Sequence, residues 1–96
     1  MTPAEFRTAT HEWARGVKTD QKTDWSGGIV AAWEFASTEE FRAARRLATR
    51  ATGVPVGINS FDDRKTLLLV MPTEEMASLA RNALGQPKFS AALTEG

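Results

Sequence analysis

The sequence predicts a single α+β domain, an antiparallel sheet of three or four strands carrying two or three helices in the order α-β-β-α-β-β-α. Three observations carry this expectation. Thr2 with Glu5 and Ser37 with Glu40 each form the Ser/Thr-x-x-Glu pattern that caps a helix start. The stretches "IVAAWEFA" and "TLLLVM" are apolar runs bounded by turn residues, as strands are. A chain of 96 residues has room for one core, so every element from 1 to 96 must pack on a single centre.

The first helix begins at the Thr2 cap with Pro3 in its first position, where a missing N–H costs nothing. At 100° per residue Phe6, Ala9, Trp13 and Val17 share one stripe, and Arg7, His11 and Arg15 lie across from it. Gly16 is the expected end. From Val17 to Trp25 the run "VKTDQKTDW" alternates weakly and reads either as a strand or as an open loop. Ser26, Gly27 and Gly28 offer a turn into "IVAAWEFA", which sends Ile29, Ala31, Trp33 and Phe35 to one face and Val30, Ala32, Glu34 and Ala36 to the other. Ser37 caps a helix over Thr38–Thr52, closed by Gly53 as a left-handed terminator. "VPVGINSF" follows as a strand, "DDRK" as a turn, and "TLLLVM" as the second strand of a hairpin that Pro72 stops. Thr73, Glu74 and Glu75 open a third helix with the apolar stripe Met76, Leu79, Ala80, Ala83 and Leu84, ended by Gly85 and Pro87. The last segment, "KFSAALTEG", suits a strand, a short helix or a docked tail.

Composition narrows the function. The chain is 42% hydrophobic and 25% charged, the profile of an ordinary globular domain. Twelve basic residues balance twelve acidic ones. The sequence pI of about 6.6 lies far below that of a dedicated nucleic-acid binder, so any attraction to phosphate must be local. With no cysteine there is no disulfide, thiolate nucleophile or cysteine zinc site. The longest apolar run, Leu67 to Met71, is too short to span a bilayer and the start lacks the signal-peptide pattern, so no membrane is expected and a cytoplasmic location is. His11 is the only histidine and sits on the wet side of its helix. The acidic pairs Glu39/Glu40 and Glu74/Glu75 complement helix N-termini, and Asp62/Asp63 suit a turn. The reading therefore assigns no catalytic residue, no metal ligand, no cofactor and no enzymatic activity.

Four arginines, Arg42, Arg45, Arg46 and Arg50, stand in "FRAARRLATR". Phe41, Ala43, Ala44, Leu47, Ala48 and Ala51 take one half of that helix and the arginines the other. Only Glu39, three residues before Arg42, offers one of them a local partner. These four residues are the candidate partner-binding set, since arginine grips carboxylate or phosphate with paired hydrogen bonds.

From Phe35 onward, Phe35 and Phe41 around a helix start, Pro55 leading into "VGINSF", an apolar strand and the helix at "TEEMASLA" resemble the pterin-4a-carbinolamine dehydratase family. The likeness covers about sixty residues and lies in the topology. It implies paired histidines before the proline as acid and base, but those positions hold Gly53 and Val54, so such a relative would be non-catalytic.

The expected function is that of a small protein-binding module, using the arginine helix or an apolar sheet face against an acidic protein surface. A regulator, an assembly factor, or an inhibitor such as an immunity protein or a phage-encoded anti-defence protein fits that description. Nucleic-acid binding through the arginines is one alternative, and a degenerate pterin-dehydratase-like dimer is another. Apolar residues fall on both sheet faces, so the second face needs a cover: the first helix, the 88–93 tail, or a second copy in a homodimer.

Overall fold

Seven elements follow one another as α1 (Pro3–Ala14), β1 (Ile29–Glu34), α2 (Thr38–Thr52), β2 (Val56–Ile58), β3 (Thr66–Met71), α3 (Glu74–Leu84) and β4 (Phe89–Ala92). The structure is a computed structural model that describes residues 1–14, 28–53, 56–58 and 65–92. It is an α+β fold with an antiparallel sheet. The segment read as strand or loop, 17–25, lies outside the described residues.

Local chemistry sets the helix ends. Thr2 Oγ1 accepts from the Glu5 N–H at 3.1 Å while the Glu5 carboxylate accepts from the Thr2 N–H at 2.9 Å, the reciprocal pair expected at the start of α1. Ser37 Oγ accepts from the Glu40 N–H at 3.1 Å, and Glu40 reaches one residue further back, to the Ala36 N–H. Thr73 does the same for α3, accepting from the Met76 N–H at 3.2 Å. Each cap is worth about 1 kcal/mol. Gly53 and Gly85 terminate α2 and α3 with φ of 84°, a backbone angle that strains any residue with a Cβ.

The sheet has the order β2-β3-β1-β4. β1 pairs with β3 from Ile29↔Met71 to Glu34↔Thr66, and with β4 from Ile29↔Ala92 to Ala32↔Phe89. Both hydrogen-bonding edges of β1 are thus occupied. β2 pairs with the other side of β3, from Val56↔Val70 to Ile58↔Leu68. Within the segment left open between strand, helix and tail, Phe89–Ala92 form a strand, which lets Phe89 and Ala91 join Ala32 and Val30 on one apolar face. That strand is an element the expected order did not contain.

Alternation along β1 and β3 divides the core in two. Ala31, Trp33, Leu67, Leu69 and Met71 pack with Phe41, Ala44 and Ala48 of α2 and Ala77 and Ala80 of α3. Val30, Ala32, Leu68 and Val70 pack with Phe6 and Ala9 of α1. The sheet is therefore a middle layer with helices on both sides, which explains why β3 is apolar at every position from Leu67 to Met71 instead of every second one. Each of the three leucines is fully buried, contributing roughly 1.5–3 kcal/mol. Small residues on the inner stripes of α2 and α3 let both helices lie close to the sheet. Trp33 fixes α3 in place, its indole N–H donating to the Gly85 carbonyl at 3.0 Å.

Of the three covers the sequence allows for the second sheet face, α1 lies on it within the same chain, through Phe6 and Ala9. The apolar stripes of α2 and α3 are displaced from their expected positions: Thr52 is buried on α2 while Ala43 is exposed and Leu47 is 44% exposed, and Ala77 is buried on α3 while Leu79 is 41% exposed. The inner stripe of each helix is narrower than its apolar content, and what is left over faces outward.

Candidate functional site

Helix α2 owes its orientation to Phe41, Ala44, Ala48 and Thr52, which recur at helical spacing and are buried against the sheet. Thr52 can be buried because its hydroxyl donates to the Ala48 carbonyl at 2.9 Å. That inner stripe leaves Arg42, Arg45, Arg46 and Arg50 exposed, as the sequence indicates. Arg42, Arg46 and Arg50 follow at i, i+4 and i+8, one row along the helix in steps of about 6 Å. Arg45 flanks that row on the side nearer the core. Ala43 and Leu47, both exposed, form the adjoining row on the opposite side.

None of the four guanidinium groups forms an ion pair or a side-chain hydrogen bond with a described residue. Glu39, at the favourable spacing, is exposed and makes no ion pair with Arg42. By contrast Arg81 on α3 is engaged, with Glu74 at 2.5 Å and Ser78 at 3.2 Å. The arginine face thus combines concentrated positive charge, unused donors and an apolar border in one place.

A second concentration of charge surrounds Glu34 at the end of β1. Its carboxylate accepts from Lys88 Nζ at 2.8 Å and from the Met1 ammonium at 2.6 Å. The Lys88 hydrogen bond first, and the Met1 one second, hold this carboxyl below the usual glutamate range against a smaller opposing effect of burial. The cluster sets two cations on one carboxylate and joins the start of the chain to the β1–β4 pair.

The site that the sequence did not reveal is a cleft of about 300 Å³ between α1 and β4. Its floor is the stacked pair Phe6 and Phe89, with centroids 5.1 Å apart. Arg7, Thr10 and His11 rise on one wall and Ser90 lies on the other. The signal was present as the flank of α1 beside its apolar stripe, but only the pairing of β4 with β1 brings that flank opposite Phe89. His11 is exposed as expected, and neither its side chain nor that of Ser90 has a hydrogen-bond partner among the described residues, so these residues assemble no nucleophile–base pair. Among the described residues no group of three acidic or histidine side chains could hold a metal ion. Nor is any described helix long and apolar enough to cross a membrane.

Of the two positions before Pro55 singled out in the sequence, Gly53 is the terminator of α2 at φ 84°, and Val54 lies outside the described residues. Compared with protein-family models, curated proteins and solved structures, the chain matches none.

Proposed function

We propose that the protein is a small non-catalytic binding module that docks on an acidic protein surface through Arg42, Arg45, Arg46 and Arg50. The observation that supports this most is that all four guanidinium groups are exposed without an ion partner among the described residues. A guanidinium is weakly hydrated and presents a planar fork of donors, so it gives up water cheaply and binds a carboxylate through two bonds. The row of Arg42, Arg46 and Arg50 matches carboxylates spaced by one helical turn on a partner. Ala43 and Leu47 supply the apolar contact that protein interfaces place beside arginine.

Nucleic acid is the alternative ligand for the same charges. The only aromatic residue on α2 is Phe41, which is buried, so α2 itself offers no base-stacking platform beside the arginines. The balanced net charge also withholds the long-range attraction that phosphate binders use. A protein partner is favoured on both grounds, and a regulator, inhibitor or assembly factor would act by such docking.

The test is a photocrosslinking amino acid at position 47, beside the arginine row, used in native extract. Crosslinks to a segment rich in Asp and Glu support the reading. Crosslinks to nucleic acid would replace it with the alternative, and efficient crosslinking only from a control position on α3, such as Asn82, would move the interface elsewhere.

A further inference from the structure

We propose that the cleft between α1 and β4 takes an acidic peptide in extended conformation, added to the sheet as a strand beside β4. Three observations converge on this. β4 is outermost in the order β2-β3-β1-β4, so among the described residues no strand pairs with its outer edge. Sheet edges are blunted by short length, Lys, Pro or inward charges; β4 is short, at four residues, but "FSAA" carries no Lys, Pro or charge. An unprotected edge with free backbone groups is what strand addition uses for affinity.

The cleft supplies the pockets that such a mode needs for specificity. Phe6, Thr10, Arg7 and His11 fall within about 140° of the helix circumference at 100° per residue, so one flank of α1 faces along the strand. Phe6 stacks on Phe89, and Ala91 continues that face two residues on, giving small apolar seats for alternate side chains of the incoming peptide. Thr10 spends its hydroxyl proton on the Phe6 carbonyl at 2.8 Å and is left as part of the wall.

Charge selects the peptide. Among the described residues that line the cleft, Arg7 is the one with a fixed charge, and none is a carboxylate. Neither Arg7 nor His11 has a partner among the described residues. An acidic side chain on the peptide would meet the exposed Arg7 guanidinium, which can bind a carboxylate through two charge-assisted hydrogen bonds. This surface lies on the face of the sheet opposite α2, so it is separate from the arginine row.

The experiment titrates the full-length, ¹⁵N-labelled protein with a blocked hexapeptide of alternating valine and glutamate. Amide shifts should change at Ser90–Ala92 and along Arg7–His11. A lysine-for-glutamate peptide should bind at least about tenfold more weakly, and N-methylation of the peptide backbone should abolish binding. Arg7→Glu should weaken binding about tenfold with the circular dichroism spectrum unchanged, and the triple variant Arg42→Glu/Arg46→Glu/Arg50→Glu should bind like the parent. Equal binding of the lysine peptide, no binding at millimolar concentration, or shifts confined to α2 would each overturn the proposal. So would concentration-dependent broadening of the β4 amides without peptide, because the occupant would then be a second copy of the chain.

Discussion

Phe6 of α1 and Phe89 of β4 stack with ring centroids 5.1 Å apart and planes inclined by 19°, joining the first and last elements of the fold. Phe6 is buried, so Phe6→Ala removes its transfer energy and leaves a cavity, at a cost of about 3–5 kcal/mol. In a double-mutant cycle with leucine at both positions, the pair should retain a coupling of about 0.5–1.5 kcal/mol. Strict additivity in urea unfolding would show that α1 and β4 are held together by other contacts.

Trp33 is 3% exposed and spends its indole N–H on the Gly85 carbonyl. Trp33→Phe keeps the ring in the core but deletes the donor and some volume. The expected loss is about 1–3 kcal/mol, seen as a lower urea midpoint at unchanged slope. A midpoint equal to the parent's would mean the bond contributes nothing to seating α3.

Glu34, between Lys88 and the Met1 ammonium, gives a pH prediction. Its carboxyl is held below the ordinary value of 4.5, so the folded state favours the ionised form. The stabilisation is complete above the unfolded value and is lost as pH falls through the lower folded one. Glu34→Gln should therefore lower the melting temperature slightly at pH 7, and the gap to the parent should close as the pH drops below about 4.5. A gap that stays constant to pH 3 would show that the carboxylate charge is not what Lys88 and Met1 recognise.

Features decided within a few residues were legible in the sequence. Thr2 with Glu5, Ser37 and Thr73 cap the helices they were expected to cap, and Gly53 ends α2 after Thr52, because capping depends on side chains three or four positions away. The arginine face was legible for the same reason: once Phe41, Ala44 and Ala48 face inward, the helical period puts Arg42, Arg46 and Arg50 outward. Long-range pairing was not legible. "KFSAALTEG" fits strand or helix by local pattern, and only the free edge of β1 makes Phe89–Ala92 a strand. Leu47 and Leu79 counted as core by periodicity, yet a sheet seats only a narrow stripe of each helix, and alanines at 44, 48, 77 and 80 fill it. The cleft between α1 and β4 followed from that same pairing, so no local signal could have placed Arg7 opposite Phe89.

The arginine face of α2 is tested most directly by reversing its charge and measuring binding to the partner captured from position 47, at salt from about 50 to 200 mM. Arg42→Glu, Arg46→Glu and Arg50→Glu together should leave the stability within about 1 kcal/mol of the parent, since none of the three is paired with a described residue. Affinity should fall by roughly a hundredfold, because reversed charges repel an acidic surface as well as losing their bonds to it. The parent's affinity should decline only gently with salt, without the slope of about one logarithmic unit per phosphate that nucleic acid imposes. A triple variant that folds and binds this partner as tightly as the parent at every salt concentration would contradict the assignment of the arginine row as the binding surface.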